Sequence, residues 1–207
     1  MRLLLSATSP FARKVHVVLL EKGIAFEPVY VAPSDPTVTQ ANPLGKIPAL
    51  VREDGRALYD SPVIVQYLEL HTPMPALLPA EPGARIDALC WEALCDGLCD
   101  AVVAGMLERR RPADRQDAGT LAHHEGKVRR ALEVMEADLG TRVHAVADAY
   151  TLADIAIASA LGYVGLRAPA LLDAHPALVD RYARLSERST IACTAPPTVF
   201  PAALVTP

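Results

Sequence analysis

The sequence carries no surplus of one charge, no long apolar run and no cysteine pattern, and each lack removes a class of function. Its 207 residues hold 20 Lys and Arg against 24 Asp and Glu, a formal net charge of −4. That balance gives no general attraction for nucleic acid or for an anionic membrane surface. No apolar stretch approaches the ~18 residues of a membrane helix. The opening Met1-Arg2-Leu3-Leu4-Leu5-Ser6 is too short for a signal peptide, because Arg13 and Lys14 interrupt the apolar stretch. The cysteines (Cys90, Cys95, Cys99 and Cys193) form neither a C-x-x-C pair nor a zinc spacing, so no metal ligand set is read and secreted, disulfide-stapled readings fall away. Cys90, Cys95 and Cys99 lie in an apolar helical stretch and read as small core residues in a reducing cytoplasm. What remains is globular: 51% apolar and 21% charged residues, enough chain for one large domain or two small ones.

The first seventy residues alternate short apolar runs with helical patterns. Leu3-Leu4-Leu5 reads as a buried strand. Ser9-Pro10 starts a helix, with Ser at the N-cap and Pro at the first helical position, and Gly23 ends it. Phe26 to Val31 reads as a second strand, placed at a sheet edge because Pro28 cannot donate to a ladder. A weak helical segment spans Pro36 to Ala41. The turn Asn42-Pro43-Leu44-Gly45 then leads into a strand from Ala49 to Arg52. Asp54-Gly55 signals a two-residue hairpin into Arg56 to Tyr59. Ser61-Pro62 repeats the pairing of a capping Ser with a first-turn Pro, and Ile64, Tyr67 and Leu68 line one face of the next helix. Strand, helix, strand, weak helix, hairpin, helix is the order of a small mixed sheet with helices packed on it, as in thioredoxin.

Four prolines between Thr72 and Pro82 break the pattern, since proline stiffens an extended connection and cannot continue a helix. Only helices are read beyond them: Ala84 to Leu107, Thr120 to Leu139, Thr151 to Val164, and one opened by His175-Pro176 that runs to about Arg188. The third is apolar nearly all round, as a buried central helix should be. The expected fold is therefore α/β plus all-α: a thioredoxin-like domain over residues 1–76, a linker at 77–83 and a helical bundle over 84–207. The tail from Thr194, with Pro196, Pro197, Pro201 and Pro207, reads as irregular.

Four sequence elements in this order resemble the cytosolic glutathione S-transferases. Ser9-Pro10-Phe11-Ala12-Arg13-Lys14-Val15 is similar to the S-P-F-x-R-K-V start of a bacterial branch of that superfamily. Asn42-Pro43-Leu44-Gly45-Lys46-Ile47-Pro48-Ala49-Leu50 is similar to its N-P-x-G-x-V-P-x-L element. Asp60-Ser61 stands where the family has an acidic residue followed by Ser, and Thr151-Leu152-Ala153-Asp154 resembles its S/T-x-x-D box.

The resemblance implies a glutathione transferase that joins the glutathione thiolate to a small hydrophobic electrophile. Glutathione is then a substrate and not a bound cofactor. A thiol near pKa 8.5 is mostly protonated at neutral pH, so a hydroxyl donor and the positive end of a helix would favour the thiolate. Ser9 is the catalytic candidate on this reading, with Thr8 and Ser6 close enough to be rivals. Plain helix capping would also explain it. The resemblance implies a cis peptide before Pro48 and pairing of the Ile47 backbone with the cysteinyl part of glutathione. It implies that Ser61 receives the γ-glutamyl carboxylate and Asp60 the γ-glutamyl ammonium. Lys46 could attract the glycyl carboxylate or be solvated. Thr151 and Asp154 read as a capping box with a folding role, flanked by Tyr150 and Ile155 as a hydrophobic staple.

Other conspicuous residues take plain readings. His123 and His124 are adjacent and cannot share a helical face as metal ligands do. Arg109-Arg110-Arg111 reads as a solvated helix end that could instead border a pocket for acidic molecules. Trp91 reads as core or subunit-interface packing. The resemblance further implies a cytoplasmic homodimer, with the apolar Cys90 to Val103 stretch and Tyr67 and Leu68 at the interface. Two other functions compete: a non-catalytic interaction or stress protein on the same scaffold, and a glutathione-dependent thiol-disulfide enzyme, the latter disfavoured because no cysteine lies near Ser9.

Overall fold

A computed structural model describes residues 1–32 and 34–197; Pro201 and Pro207 of the expected irregular tail lie outside them. Four strands form one mixed sheet: β1 (Arg2–Leu5), β2 (Glu27–Tyr30), β3 (Ala49–Val51) and β4 (Ala57–Leu58), in the order β2-β1-β3-β4. β1 runs parallel to β2 and antiparallel to β3, and β3 pairs antiparallel with β4. Pro28 sits in the edge strand β2 opposite Leu3. The helices of this half are α1 (Pro10–Glu21), α2 (Pro36–Ala41) and α3 (Ser61–His71). The second half is helical: α4 (Pro82–Arg109), α5 (Ala118–Leu139), α6 (Leu152–Arg167), α7 (Pro176–Ser186) and α8 (Ser189–Ala192). This is a thioredoxin-like domain with a small sheet followed by a helical domain.

Local chemistry sets the element ends. α1 closes in a Schellman motif: Gly23 takes φ +61°, its N–H bonds Leu20 C=O at 3.1 Å, and Ile24 N–H bonds Leu19 C=O at 3.0 Å. The hairpin turns over three residues instead of two, with Arg52 N–H on Arg56 C=O at 2.9 Å and Gly55 at φ +80°. A left-handed glycine after a tight turn is the usual way to close such a loop. Ser61 is not the cap of α3. Asp60 occupies that position in an extended conformation, without a side-chain cap bond, and Ser61 is the first helical residue. Proline is tolerated in a first turn, so Ser61-Pro62 shifts by one place without penalty.

A continuous apolar core joins the two halves, from Leu3, Val15 and Leu50 through Ile64 and Leu68 to Leu132, Ile157 and Ile191. α6 is buried on every side from Leu152 to Gly165. Leu68, read as an interface residue, is fully buried in this core, as are Cys95, Leu98 and Cys99. The large apolar residues of α3 and α4 that face outward are Val63 and Leu70 on α3 and Ile86 and Leu107 on α4. Cys90 is exposed and not a core residue; it lies on the outer side of α4, between the buried Ala88 and Trp91. Trp91 is buried in the core. Among the described residues no helix is long and apolar enough to cross a membrane.

Buried charges hold the halves together, against the expectation that Arg13 and Lys14 merely interrupt an apolar run. Lys14 is 1% exposed and reaches Glu92 at 2.8 Å and Asp96 at 2.6 Å on α4. Arg13 donates to Ala158 C=O at 2.9 Å and Ile191 C=O at 3.0 Å. Lys22 binds Glu69 at 2.7 Å and the carbonyls of Thr72 and Pro75, while Glu69 accepts from Leu77 and Leu78 N–H. The proline-rich stretch is thereby tied down from Thr72 to Leu78.

Candidate functional site

The loop from 42 to 48 is organised by the buried Asn42. Its amide donates to Lys46 C=O at 2.8 Å, its side-chain oxygen accepts from Leu44 N–H at 3.0 Å, and its own carbonyl accepts from Gly45 N–H at 2.8 Å. Gly45 takes φ +63°, a conformation that glycine adopts without steric cost. The loop delivers Ile47 and Pro48, joined by a cis peptide bond, to the start of β3. Among the described residues nothing bonds the Ile47 N–H or C=O.

A cleft of about 180 Å³ opens beside this loop. Ile47, Pro48, Asp60, Ser61 and Lys46 all line it, together with Phe11, Tyr59 and two residues of α4, Asp96 and Asp100. Ser61 is buried with its hydroxyl unpartnered among the described residues, and Asp60 is exposed with a free carboxylate. The first N–H groups of α3 have no intrahelical acceptor, so the helix end presents donors and positive potential here. The cleft therefore offers an anion seat at Ser61, carboxylates at Asp60, Asp96 and Asp100, and an unpaired backbone amide at Ile47. That set suits an extended peptide-like molecule with an ammonium and carboxylates at its ends.

Asp96 and Asp100 carried no signal in the sequence, because a pair of acidic residues on a long helix reads as solvated surface. Asp96 is held above the ordinary carboxylate value by burial, with Glu92 and Asp100 adding to the effect and Lys14 opposing it. For Lys14, burial works toward a lower pKa, but Asp96 and Glu92 outweigh it and keep the ammonium charged.

Ser9 is not among the residues that line the cleft, although Phe11, two places on, is. It caps α1: its hydroxyl accepts from Ala12 N–H at 3.2 Å. Accepting that bond leaves the hydroxyl proton available to a further acceptor. Ser6 and Thr8 belong to the turn before it, closed by Ser9 N–H on Ser6 C=O at 3.3 Å, and neither caps the helix.

No cysteine lines the cleft among the described residues, and all four are free thiols. Burial pushes the thiols of Cys95 and Cys99 far up, which removes them as thiolates at neutral pH. Among the described residues no group of three or more His, Cys, Asp and Glu is placed to hold a metal ion.

Thr151 and Asp154 lie apart from the cleft, at the start of α6. The capping box is closed: Asp154 accepts from Thr151 N–H at 3.0 Å, and Thr151 Oγ accepts from Ala153 N–H at 3.3 Å. The same buried carboxylate accepts from Ala145 N–H at 3.1 Å, which anchors the preceding loop.

Comparison with known proteins places relatives along almost the whole chain. The family model of the glutathione S-transferase N-terminal domain matches residues 8–71, and that of the C-terminal domain matches residues 94–189. An uncharacterized GST-like protein of Escherichia coli (strain K12), YibF, is 42% identical over 203 residues, covering 95% of this chain and 99% of that one. A crystal structure of a glutathione S-transferase from Methylobacillus flagellatus with GSH bound superposes with a TM-score of 0.90 at 44% identity, over 95% of this chain and 99% of that chain. A second, from Methylobacterium radiotolerans in complex with glutathione sulfonate, gives 0.91 at 38% identity, over 100% and 98%.

Proposed function

Since this chain belongs to the glutathione S-transferase family, we propose that it is a catalytically active glutathione transferase of the bacterial branch with the Ser-Pro-Phe-x-Arg-Lys-Val start. Its glutathione-binding half is residues 1–76, and its helical half opens with α4 at Pro82, two residues before the expected boundary at 84. The observation that carries the reading is the convergence of Ile47, Pro48, Asp60 and Ser61, drawn from two separate stretches of the chain, on one cleft. Relatives at 44% and 38% identity hold GSH and glutathione sulfonate, and the cleft has the charges for the same peptide. The Ile47 backbone pairs with the cysteinyl unit, Ser61 and the α3 terminus receive the γ-glutamyl carboxylate, and Asp60 receives the ammonium. Asp96 and Asp100 add negative charge on the ammonium side.

Ser9 then donates its hydroxyl proton as a hydrogen bond to the sulfur, while its oxygen still caps α1. The thiol proton leaves to solvent, and the positive end of α1 stabilises the thiolate that remains. The thiolate attacks the electrophilic carbon of a hydrophobic substrate, forming the C–S bond as the leaving group departs with its electron pair. No cofactor is required. The protein works as a cytoplasmic homodimer, with Val63, Leu70 and Ile86 among the exposed apolar residues available to the interface.

A second reading, a scaffold that binds glutathione without turnover, is favoured by one observation: Ser9 caps α1 and does not line the cleft. Retention on immobilised glutathione together with conjugation of an activated aryl chloride supports the transferase. Retention without conjugation supports the scaffold, and flow-through would remove both.

A further inference from the structure

The sheet has two faces, and one of them is only partly covered. Side chains alternate along a strand, so Leu3 and Leu5 of β1 and Leu50 of β3 join the main core, while Leu4 and Ala49 pack with Val31 and Val38 in a small cluster on the other side. The strand registers put Arg2, Leu4, Val29, Val51 and Ala57 on that second face. α2, six residues long, reaches across part of it. The rest is a groove of about 570 Å³, with those five residues as its floor and Thr37, Gln40 and Ala41 of α2 along one wall.

Two cations stand at one end of this groove. Arg2 opens β1 and Arg56 precedes β4, and the pairings of Arg2 with Val51 and of Val51 with Ala57 bring both to the same end of the sheet. They are two strands apart, about 10 Å at the backbone. Both side chains are exposed, and neither guanidinium has a hydrogen-bond or ion-pair partner among the described residues. No carboxylate lines the groove. Of the nearest acidic residues, Asp54 is engaged by Arg52 at 2.7 Å and by the Arg56 N–H at 3.0 Å. Glu27 stands opposite Arg2 in the ladder but forms no ion pair with it. The uncompensated positive charge therefore faces an apolar floor, and the Gln40 amide and Tyr59 hydroxyl add neutral donors to the rim. Tyr59 also lines the glutathione cleft, but Pro48 precedes β3 at the opposite end of the sheet from Arg2 and Arg56.

We infer that this groove binds a small phosphate monoester with a flat apolar body, at a site separate from the glutathione cleft. The phosphate is held between Arg2 and Arg56, whose planar forks match its oxygens. Two guanidinia also balance the charge of about −2 that a phosphate monoester carries near neutrality. The body lies on Val29, Val51 and Ala57, the apolar surface that α2 leaves half-buried. This site is independent of the transferase reaction, since a chain without turnover would keep the groove.

The test is a calorimetric titration of the full chain with 1-naphthyl phosphate, beside inorganic phosphate (the head alone) and 1-naphthol (the body alone). Naphthyl phosphate is expected to saturate at a single equivalent, with or without saturating glutathione, and each fragment to bind at least about tenfold more weakly. Arg2→Gln and Arg56→Gln should each weaken naphthyl phosphate by about tenfold, while Arg110→Gln, on the helical half, should leave it unchanged. Naphthol binding as tightly as its phosphate would overturn the inference, and so would inorganic phosphate doing so. Competitive displacement by glutathione, unaltered binding in both groove variants, or no saturation by about 1 mM would each overturn it as well. Both arginines are exposed and unpartnered, so an unchanged melting temperature in each variant separates lost binding from lost folding.

Discussion

Gly162 of α6 is the gap through which Arg13 of α1 reaches the helical half. A Cβ at position 162 would collide with Arg13 Nη1 and stand 3.0 Å from Tyr182 Oη. The guanidinium needs that space to reach Ala158 C=O and Ile191 C=O, two carbonyls from different helices. The Ser-Pro-Phe-x-Arg-Lys-Val stretch is therefore a domain-docking element as much as a site element. Ser9 begins the helix, Phe11 lines the cleft, and Arg13 and Lys14 fasten α1 to α6 and α4.

Gly162→Ala should destabilise the protein by about 1–3 kcal/mol through overpacking, although alanine in a helix interior is ordinarily worth ~1 kcal/mol over glycine. In an Arg13→Ala background the same change should cost less, the close approach to Tyr182 remaining, a coupling that denaturant unfolding of the double-mutant cycle reads directly. A Gly162→Ala protein as stable as its parent would show that Arg13 does not occupy this gap.

Ser9→Ala should raise the thiol pKa of bound glutathione and lower conjugation at neutral pH by about tenfold, the effect of losing one hydrogen bond worth ~1.4 kcal/mol. Thiolate absorbance against pH measures the first and a conjugation assay the second. The variant also loses a helix cap, costing about 1 kcal/mol of stability, so the comparison is made well below its unfolding temperature. Ser9→Cys should form a mixed disulfide with oxidised glutathione, visible by mass at residue 9. An unshifted thiolate titration in Ser9→Ala, with no adduct on Ser9→Cys, would transfer the role to Thr8 or Ser6 or abolish it.

Asp60→Ala and Ser61→Ala should each weaken glutathione binding by roughly 1–3 kcal/mol, as expected for lost hydrogen bonds to charged groups. Neither side chain has a partner within the described chain, so thermal stability should move little. Parental affinity in both, measured by titration calorimetry, would remove them from the site.

Glu21 gives the acid limb of stability a specific origin. Burial alone would raise its pKa, but hydrogen bonds from Arg188 and Thr190 outweigh it and hold the carboxyl below its ordinary value of 4.5. A carboxyl depressed by folding contributes stability above that value, and the contribution is lost as pH falls through the folded pKa. Glu21→Gln should therefore be less stable than its parent near neutrality, and the gap should narrow below about pH 4.5. Parallel stability curves across that range would show that Glu21 does not titrate with folding.

The sequence by itself determined what a few adjacent residues can determine. Ser9-Pro10 and Gly23 bound α1, Pro28 keeps β2 at the edge, and Thr151 with Asp154 caps α6, because each involves bonds within about one turn of chain. The apolar girth of Thr151 to Val164 likewise identified the central helix. Tertiary structure decided where the charges and the site went. Lys14 and Asp96 are 82 residues apart, and Arg13 and Ile191 are 178 apart. A lysine or arginine in a helical pattern reads as solvated until a distant partner repays its desolvation. The cleft obeys the same logic, since Asp96 and Asp100 share it with Ser61 through the packing of distant elements, Lys14 of α1 binding Glu92 and Asp96 of α4 among them. So too does the exposure of Cys90: which side of α4 meets the core is settled by the helices that pack on it, not by the residues beside it.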